Sequence, residues 1–115
     1  MYHLPLSAIS LNSAYRGRRF TTPKLKQFKE DMAVVLPRIK VPKGKLAITF
    51  LFGVSSKMSD TDNLVKCTLD SLATQFGFND RCVYRIVAEK IDVKKGQEFI
   101  DFSVDNFLPS SRILL

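Results

Sequence analysis

Leu46-Ala47-Ile48-Thr49-Phe50-Leu51-Phe52 is a continuous run of β-favouring residues held between two turn signals. It is too short for a helix and reads as a strand covered on both faces, central to a sheet. Upstream, Val41-Pro42-Lys43-Gly44-Lys45 is a turn, and Pro37 closes a helix over about 23–36. Thr22 supplies that helix's N-cap and Pro23 its first position, with Leu25, Phe28, Met32 and Val35 or Leu36 at helical spacing. Downstream, a polar turn (54–59) leads to a second helix over about 61–75, with Val65, Leu69, Leu72 and Phe76 as its apolar stripe and Ser59-x-x-Asp62 as a capping arrangement. An extended stretch follows over about 82–92. The Lys94-Lys95-Gly96 turn then leads into a last strand over 97–105, so these two strands are expected to pair as an antiparallel hairpin. The opening segment starts as a short strand and becomes a polar, basic loop. The tail from Phe107 to Leu115 is apolar enough to pack, on this chain or on a partner subunit. The expected fold class is α+β: a single domain over 1–115, with two main helices packed on a small mixed or antiparallel sheet.

Length and composition narrow the function. At 115 residues, 45% hydrophobic, the chain supports one core and is short for two domains. No stretch of about 18 apolar residues exists, and Met1-Tyr2-His3-Leu4-Pro5-Leu6 lacks the basic-then-apolar order of a secretory signal, so a soluble, cytoplasmic protein is expected, with no membrane partner. Cys67 and Cys82 lack the pairing and histidine neighbours of a zinc site and read as free thiols. His3, the single histidine, excludes mechanisms that need two.

The net charge of +7 is unevenly placed. Residues 1–57 hold 11 Lys/Arg against 2 acids, whereas residues 58–115 hold 7 against 9. A basic half suits a polyanion held through its phosphates. Arg16, Arg18 and Arg19, flanked by Tyr15 and Phe20, are candidates to hold phosphates while the rings stack on bases. Lys24, Lys26 and Lys29 lie off the apolar stripe of the first helix, on a face that could meet a phosphate backbone, Lys24 being the candidate DNA contact, although a solvated basic face is the commoner explanation for all three.

Against this basic background, the only acids between positions 60 and 80 are four aspartates: Asp60, Asp62, Asp70 and Asp80. Short carboxylates crowded together repel unless a cation lies among them, and magnesium, a hard cation, favours such oxygen ligands. Asp62, Lys66 and Asp70 are spaced i, i+4, i+8 and share one helix face, with Asp60 at its start. Asp80 would return beside Asp60 and Asp62 only if helix and following strand run antiparallel. Asp60, Asp62 and Asp80 would then hold magnesium, and Lys66 would neutralise charge on a scissile phosphate. Each residue also has a plain structural reading: Asp60 as N-cap, Asp62 and Asp70 as partners of Lys66, Asp80 as turn former. Spacing does exclude an EF-hand, which would need glycine and glutamate where Val65 and Ser71 stand. A phosphatase-type aspartyl nucleophile would end a buried strand, whereas Asp60 opens a helix.

The pattern Asp60-x-Asp62-Asn63-x-x-Lys66-x-x-x-Asp70-x-Leu72, then Asn79-Asp80-x-x-Val83 and a strand running to Lys90, resembles the RusA family of Holliday-junction resolvases of bacteria and prophages. Asn12-x-x-Tyr15-Arg16 and the helix after it extend the resemblance upstream. The resemblance implies a magnesium-dependent endonuclease, with manganese as a substitute, acting as a homodimer that binds four-way or branched DNA and nicks two strands symmetrically. It implies Asp60, Asp62 and Asp80 as metal ligands, Lys66 as the catalytic lysine, and Asp70 in support of Lys66. Asn79 departs from the pattern, since relatives often carry a second aspartate there. Arg16, Arg18, Arg19, Lys24 and Lys90 would be the DNA contacts. Two further readings stand beside this one: a junction- or single-strand-DNA-binding protein of the same fold with weak cleavage, and an interaction protein whose basic surface meets an acidic partner.

Overall fold

A computed structural model describes residues 1–17, 20–56 and 60–110. Its elements follow the order β1 (Tyr2–Leu4), α1 (Leu11–Ala14), β2 (Tyr15–Arg16), β3 (Phe20–Thr21), α2 (Pro23–Val35), β4 (Leu46–Val54), α3 (Thr61–Phe76), a 3₁₀ turn (Asp80–Cys82), β5 (Val83–Asp92) and β6 (Phe99–Asn106). The main sheet has the order β1-β6-β4-β5. β4 pairs in parallel with β5 and antiparallel with β6, and β1 pairs antiparallel with β6. This is the expected α+β domain on a mixed sheet. Among the described residues no helix is long and apolar enough to cross a membrane.

The helix starts follow from local chemistry. Thr22 Oγ1 accepts from the Leu25 N–H (3.4 Å) and donates to the Ser13 carbonyl (2.6 Å), so the cap of α2 also ties α1 to it. α3 ends at Gly77, whose φ of 72° a side chain would strain. At its other end the N-cap is Asp60, and its side chain makes no capping bond. The proposed Ser59 cap lies outside the described residues.

The core is one layer of helices against one face of the sheet. Leu4, Ile48, Phe50, Phe52, Ile100 and Phe102 project from the strands, meeting Leu25, Phe28 and Met32 of α2 and Leu64, Cys67, Leu69 and Leu72 of α3. Phe50 lies opposite Phe102 in the register and its ring stacks 5.4 Å from that of Phe52. α3 buries Leu64, Thr68 and Ser71, while Val65 and Phe76 of the expected stripe are half-buried. Thr68 meets the demands of burial by donating to the Leu64 carbonyl (3.1 Å).

Three expectations are corrected. β4 is central but not covered on both faces: Leu46, Ile48, Phe50 and Phe52 are buried, whereas Ala47, Thr49 and Leu51 are half-buried, because no helix lies over their side. β5 and β6 do not form a hairpin, since β4 lies between them. The turn signal was sound, as the Gln97 N–H bonds to the Lys94 carbonyl (2.9 Å), but the 93–98 connection straddles the end of β4. Val93 N–H bonds to the Val54 carbonyl (2.8 Å), keeping β5 in register beyond its last residue, and Ser55 Oγ donates to Glu98 on the far side (2.7 Å). The basic opening loop is a short helix capped by Ser10, followed by the β2–β3 ribbon. Phe107, in the tail, packs on Tyr84 and beneath Arg85 of its own chain.

Two substitutions test this packing. Phe50→Ala removes a ring with no exposed surface, a loss of about 3–5 kcal/mol against a total stability of about 5–15 kcal/mol, and should abolish or sharply lower the cooperative thermal transition. Gly53→Ala would drive a Cβ into the Phe99 ring, so the denaturation midpoint should fall by an amount equivalent to about 1–3 kcal/mol.

Candidate active site

α3 carries both core and chemistry because its two faces differ. With Leu64, Thr68, Ser71 and Leu72 turned inward, the i, i+4, i+8 set of Asp62, Lys66 and Asp70 is left outward. Asp62 and Lys66 are exposed and Asp70 is half-buried. Lys66 Nζ donates to Asp70 Oδ1 at 3.0 Å. That hydrogen bond, and then the charge of Asp70, hold the Lys66 ammonium above its ordinary value of 10.5 against the opposing effect of burial, with smaller contributions from Asp80 and Tyr15. Because the folded value is raised, the pair's stabilisation is present below the unfolded value and is lost only as pH rises through the folded one. Lys66 is thus a fixed cation at neutral pH and cannot serve there as a general base.

The aspartates are separated along the helix. Asp60 and Asp62 sit at the α3 N-terminus, whose free N–H groups favour negative charge. Asp80 opens the 3₁₀ turn after the α3 C-terminus and lines an open cleft of about 590 Å³ with Asp70, Ala73, Thr74, Phe78, Asn79 and Lys29. Asp62 and Asp70 are themselves about 12 Å apart along the axis at 1.5 Å per residue. The chain does cross back from α3 into β5, as the sequence reading required, but Asp80 precedes that return and stays at the far end. Among the described residues, no three His, Cys, Asp or Glu side chains gather closely enough to cage an ion.

The donor chemistry nevertheless fits a hard divalent cation. Magnesium is commonly held by one or two carboxylates, with waters and substrate phosphate completing its shell. The structural readings are met in part: Asp60 occupies the N-cap position of α3 and Asp70 pairs with Lys66. Asp60 makes no capping bond, Lys66 pairs with Asp70 rather than Asp62, and the turn at 79–82 is capped by Asn79, whose Oδ1 accepts from the Arg81 N–H (2.9 Å). Neither Asp60, Asp62 nor Asp80 makes a side-chain hydrogen bond or ion pair with a described residue, which leaves their oxygens available.

Basic residues frame this face. Arg16 is exposed on the ribbon, Lys24 is exposed in the first turn of α2, and both line an open depression with Asn12, Tyr15 and Thr22. Phe20, opposite Arg16 in the ribbon, is 72% exposed. Arg18 and Arg19 lie outside the described residues. Lys90 stands apart from the ribbon, half-buried on β5 opposite Phe52. Lys29 joins the acidic cleft from α2, a placement that no local pattern signals, since only the packing of α2 against α3 decides which lysine meets Asp70 and Asp80. Cys67 is buried and free, its thiol pushed up mainly by burial, and Cys82 is half-buried and free. His3 Nδ1 contacts Asp101 (2.6 Å) between β1 and β6, away from α3.

No curated protein matches the chain. The family described as endodeoxyribonuclease RusA matches residues 10–100, a span from the cap of α1 to the start of β6 that includes α3, all four aspartates and Lys66. The chain therefore belongs to the RusA family of endodeoxyribonucleases.

Proposed function

We propose that this protein is a divalent-metal-dependent, structure-selective endodeoxyribonuclease that resolves Holliday junctions and other branched DNA by paired nicks, acting as a homodimer in recombination and repair. The reading is supported by Asp60 and Asp62, exposed at the start of α3, Asp80, exposed beyond its other end, and the Lys66–Asp70 pair between them, in a chain of this nuclease family.

Asp60 and Asp62, together at the start of α3, are the residues that would hold magnesium, or manganese in its place, with Asp80 as a third ligand once it is brought to them from the other end of the helix. The ion, when bound, supplies charge neutralisation at the scissile phosphate and a more acidic water. Lys66, protonated at neutral pH, stabilises negative charge on the phosphate oxygens or the leaving oxygen. Asp70 is a positioning residue that directs the Lys66 ammonium. Arg16 and Lys24, with Arg18, Arg19 and Lys90, bind backbone phosphates, and Phe20 offers a ring to an unstacked base at the branch point. A two-fold dimer matches the two-fold symmetry of the junction, so paired nicks follow from geometry. The separation of Asp80 from Asp60 and Asp62 within one chain favours a second reading, a junction-binding protein with weak cleavage.

Cleavage of a synthetic four-way junction, compared with linear duplex of the same sequence in magnesium and in EDTA, tests the proposal. Paired nicks confined to the junction and abolished by EDTA are expected; binding without nicks would establish the second reading. Asp62→Asn and Asp80→Asn should each abolish cleavage while junction binding is retained, and unimpaired cutting by either rejects the metal assignment. Lys66→Ala should lower the cleavage rate by about 10²–10³-fold with binding unchanged. Asp70→Asn should bring the Lys66 titration, followed by NMR of its ε-methylene, back toward 10.5, and, where Asp70 positions Lys66 for cleavage, should also lower the cleavage rate with junction binding unchanged, which a merely structural pair would not do. For junction affinity, Arg16→Ala and Lys24→Ala should each reduce the slope of log K against log salt by about 0.9.

A further inference from the structure

β5 closes one side of the sheet, bonded to β4 and, among the described strands, to nothing beyond it. Ten residues long, it has no described strand along its outer side, whereas the opposite edge is the three-residue β1. Four of its six exposed residues are large hydrophobics, Tyr84, Ile86, Val87 and Ile91, each between 42% and 55% accessible, beside Glu89 and Asp92. A long, apolar free edge invites another strand unless something covers it.

The register of β5 identifies what fits. Ile86 and Ala88 lie opposite Ile48 and Phe50 and share their helix-bearing face, whereas Arg85, Val87 and Glu89 lie opposite Ala47, Thr49 and Leu51 on the uncovered face. Arg85 and Glu89 are thus equidistant from Val87 and point to the same side. Its guanidinium lies 5.0 Å from the Phe107 ring centre and donates to Ser110 Oγ (3.0 Å), which holds Arg85 on that face. An antiparallel copy related by a two-fold axis through Val87, normal to the sheet, sets Arg85 opposite the partner's Glu89 and Glu89 opposite the partner's Arg85. The same operation sets Ile86 opposite the partner's Ala88 and Val87 opposite the partner's Val87. Moving the axis to Ile86 or to Ala88 would leave Arg85 facing the partner's Val87 or the partner's Ile91, and both ion pairs would be lost. Centring it on Arg85 or Glu89 would set like charges together. The charge pattern is complementary to itself under a two-fold.

We propose that β5 is the edge through which two copies of this chain join, antiparallel about Val87, making one continuous eight-stranded sheet. This rests on the homodimer of the proposed function and identifies its interface. The pairing adds a strand to the outer side of β5, covers its exposed apolar residues and selects its register through two identical ion pairs.

Sedimentation velocity of the intact protein without DNA, over a concentration series, provides the test. The wild type should dimerise. Arg85→Glu alone and Glu89→Arg alone should each weaken the dimer by about tenfold or more, because each sets two like-charge pairs across the axis. The R85E/E89R double variant should recover the wild-type affinity, and an equimolar mixture of the two single variants should form heterodimers that neither forms with itself. Matching circular dichroism and thermal melts at low concentration would show that the single variants remain folded. A wild-type dimer whose single variants associate unchanged would overturn this interface and leave the dimer standing. Weakened single variants with no recovery in the double variant or the mixture would overturn the register. A monomeric wild type would overturn the interface and the dimer together, whatever the outcome of the cleavage assay.

Discussion

The structure depends on the need to bury one face of β4. Its four large helix-facing side chains, Leu46, Ile48, Phe50 and Phe52, are almost wholly removed from water and are met by α2 and α3 on one side of the sheet. Burial on this scale is the main favourable term in a domain of this size, at about 25 cal/mol for each Å² of apolar surface removed from water. It also demands that the backbone of β4 be paired along both edges, which β5 and β6 accomplish. The order β6-β4-β5 is a consequence, and with it the crossover that carries α3 over the sheet.

That crossover links packing to chemistry. α3 is positioned by Leu64, Thr68, Ser71 and Leu72, residues with no chemical role, and its outward face is presented by default. The ammonium of Lys66 is held by Asp70 one turn away, on a helix whose rotation the core sets. Charged groups carried on a rigid helix in this way are held in place before any ligand arrives, which is what the role proposed for Lys66 needs. The β2–β3 ribbon and α2, tied together through Thr22, bring basic side chains to the same region from the opposite end of the chain.

Much of this arrangement was legible beforehand. The limits of α2 were readable because proline, threonine and helical spacing all act within a few residues. The contact between Lys66 and Asp70 was readable because i,i+4 neighbours on a helix meet wherever the helix goes. Partnering between strands was not readable. The turn after Lys94 appears as a turn in the structure, yet its arms belong to different neighbours, because whether β4 inserts between them depends on the whole sheet. The same holds for Asp80, whose approach to Asp70 and Lys29 rather than to Asp60 and Asp62 is decided where the chain leaves α3.

The sequence by itself determined the types of the long elements from α2 onward, the opposed faces of α3, the segregation of charge and the residues that carry the nuclease family's pattern. These are set by side-chain chemistry and by interactions spanning a few residues. Only the tertiary structure decided which face of β4 is covered, which carboxylates stand near one another and which strand is left with an open edge. Those outcomes come from closing long stretches of chain around one buried strand, and no local signal encodes the winner among the pairings that the same strands could make.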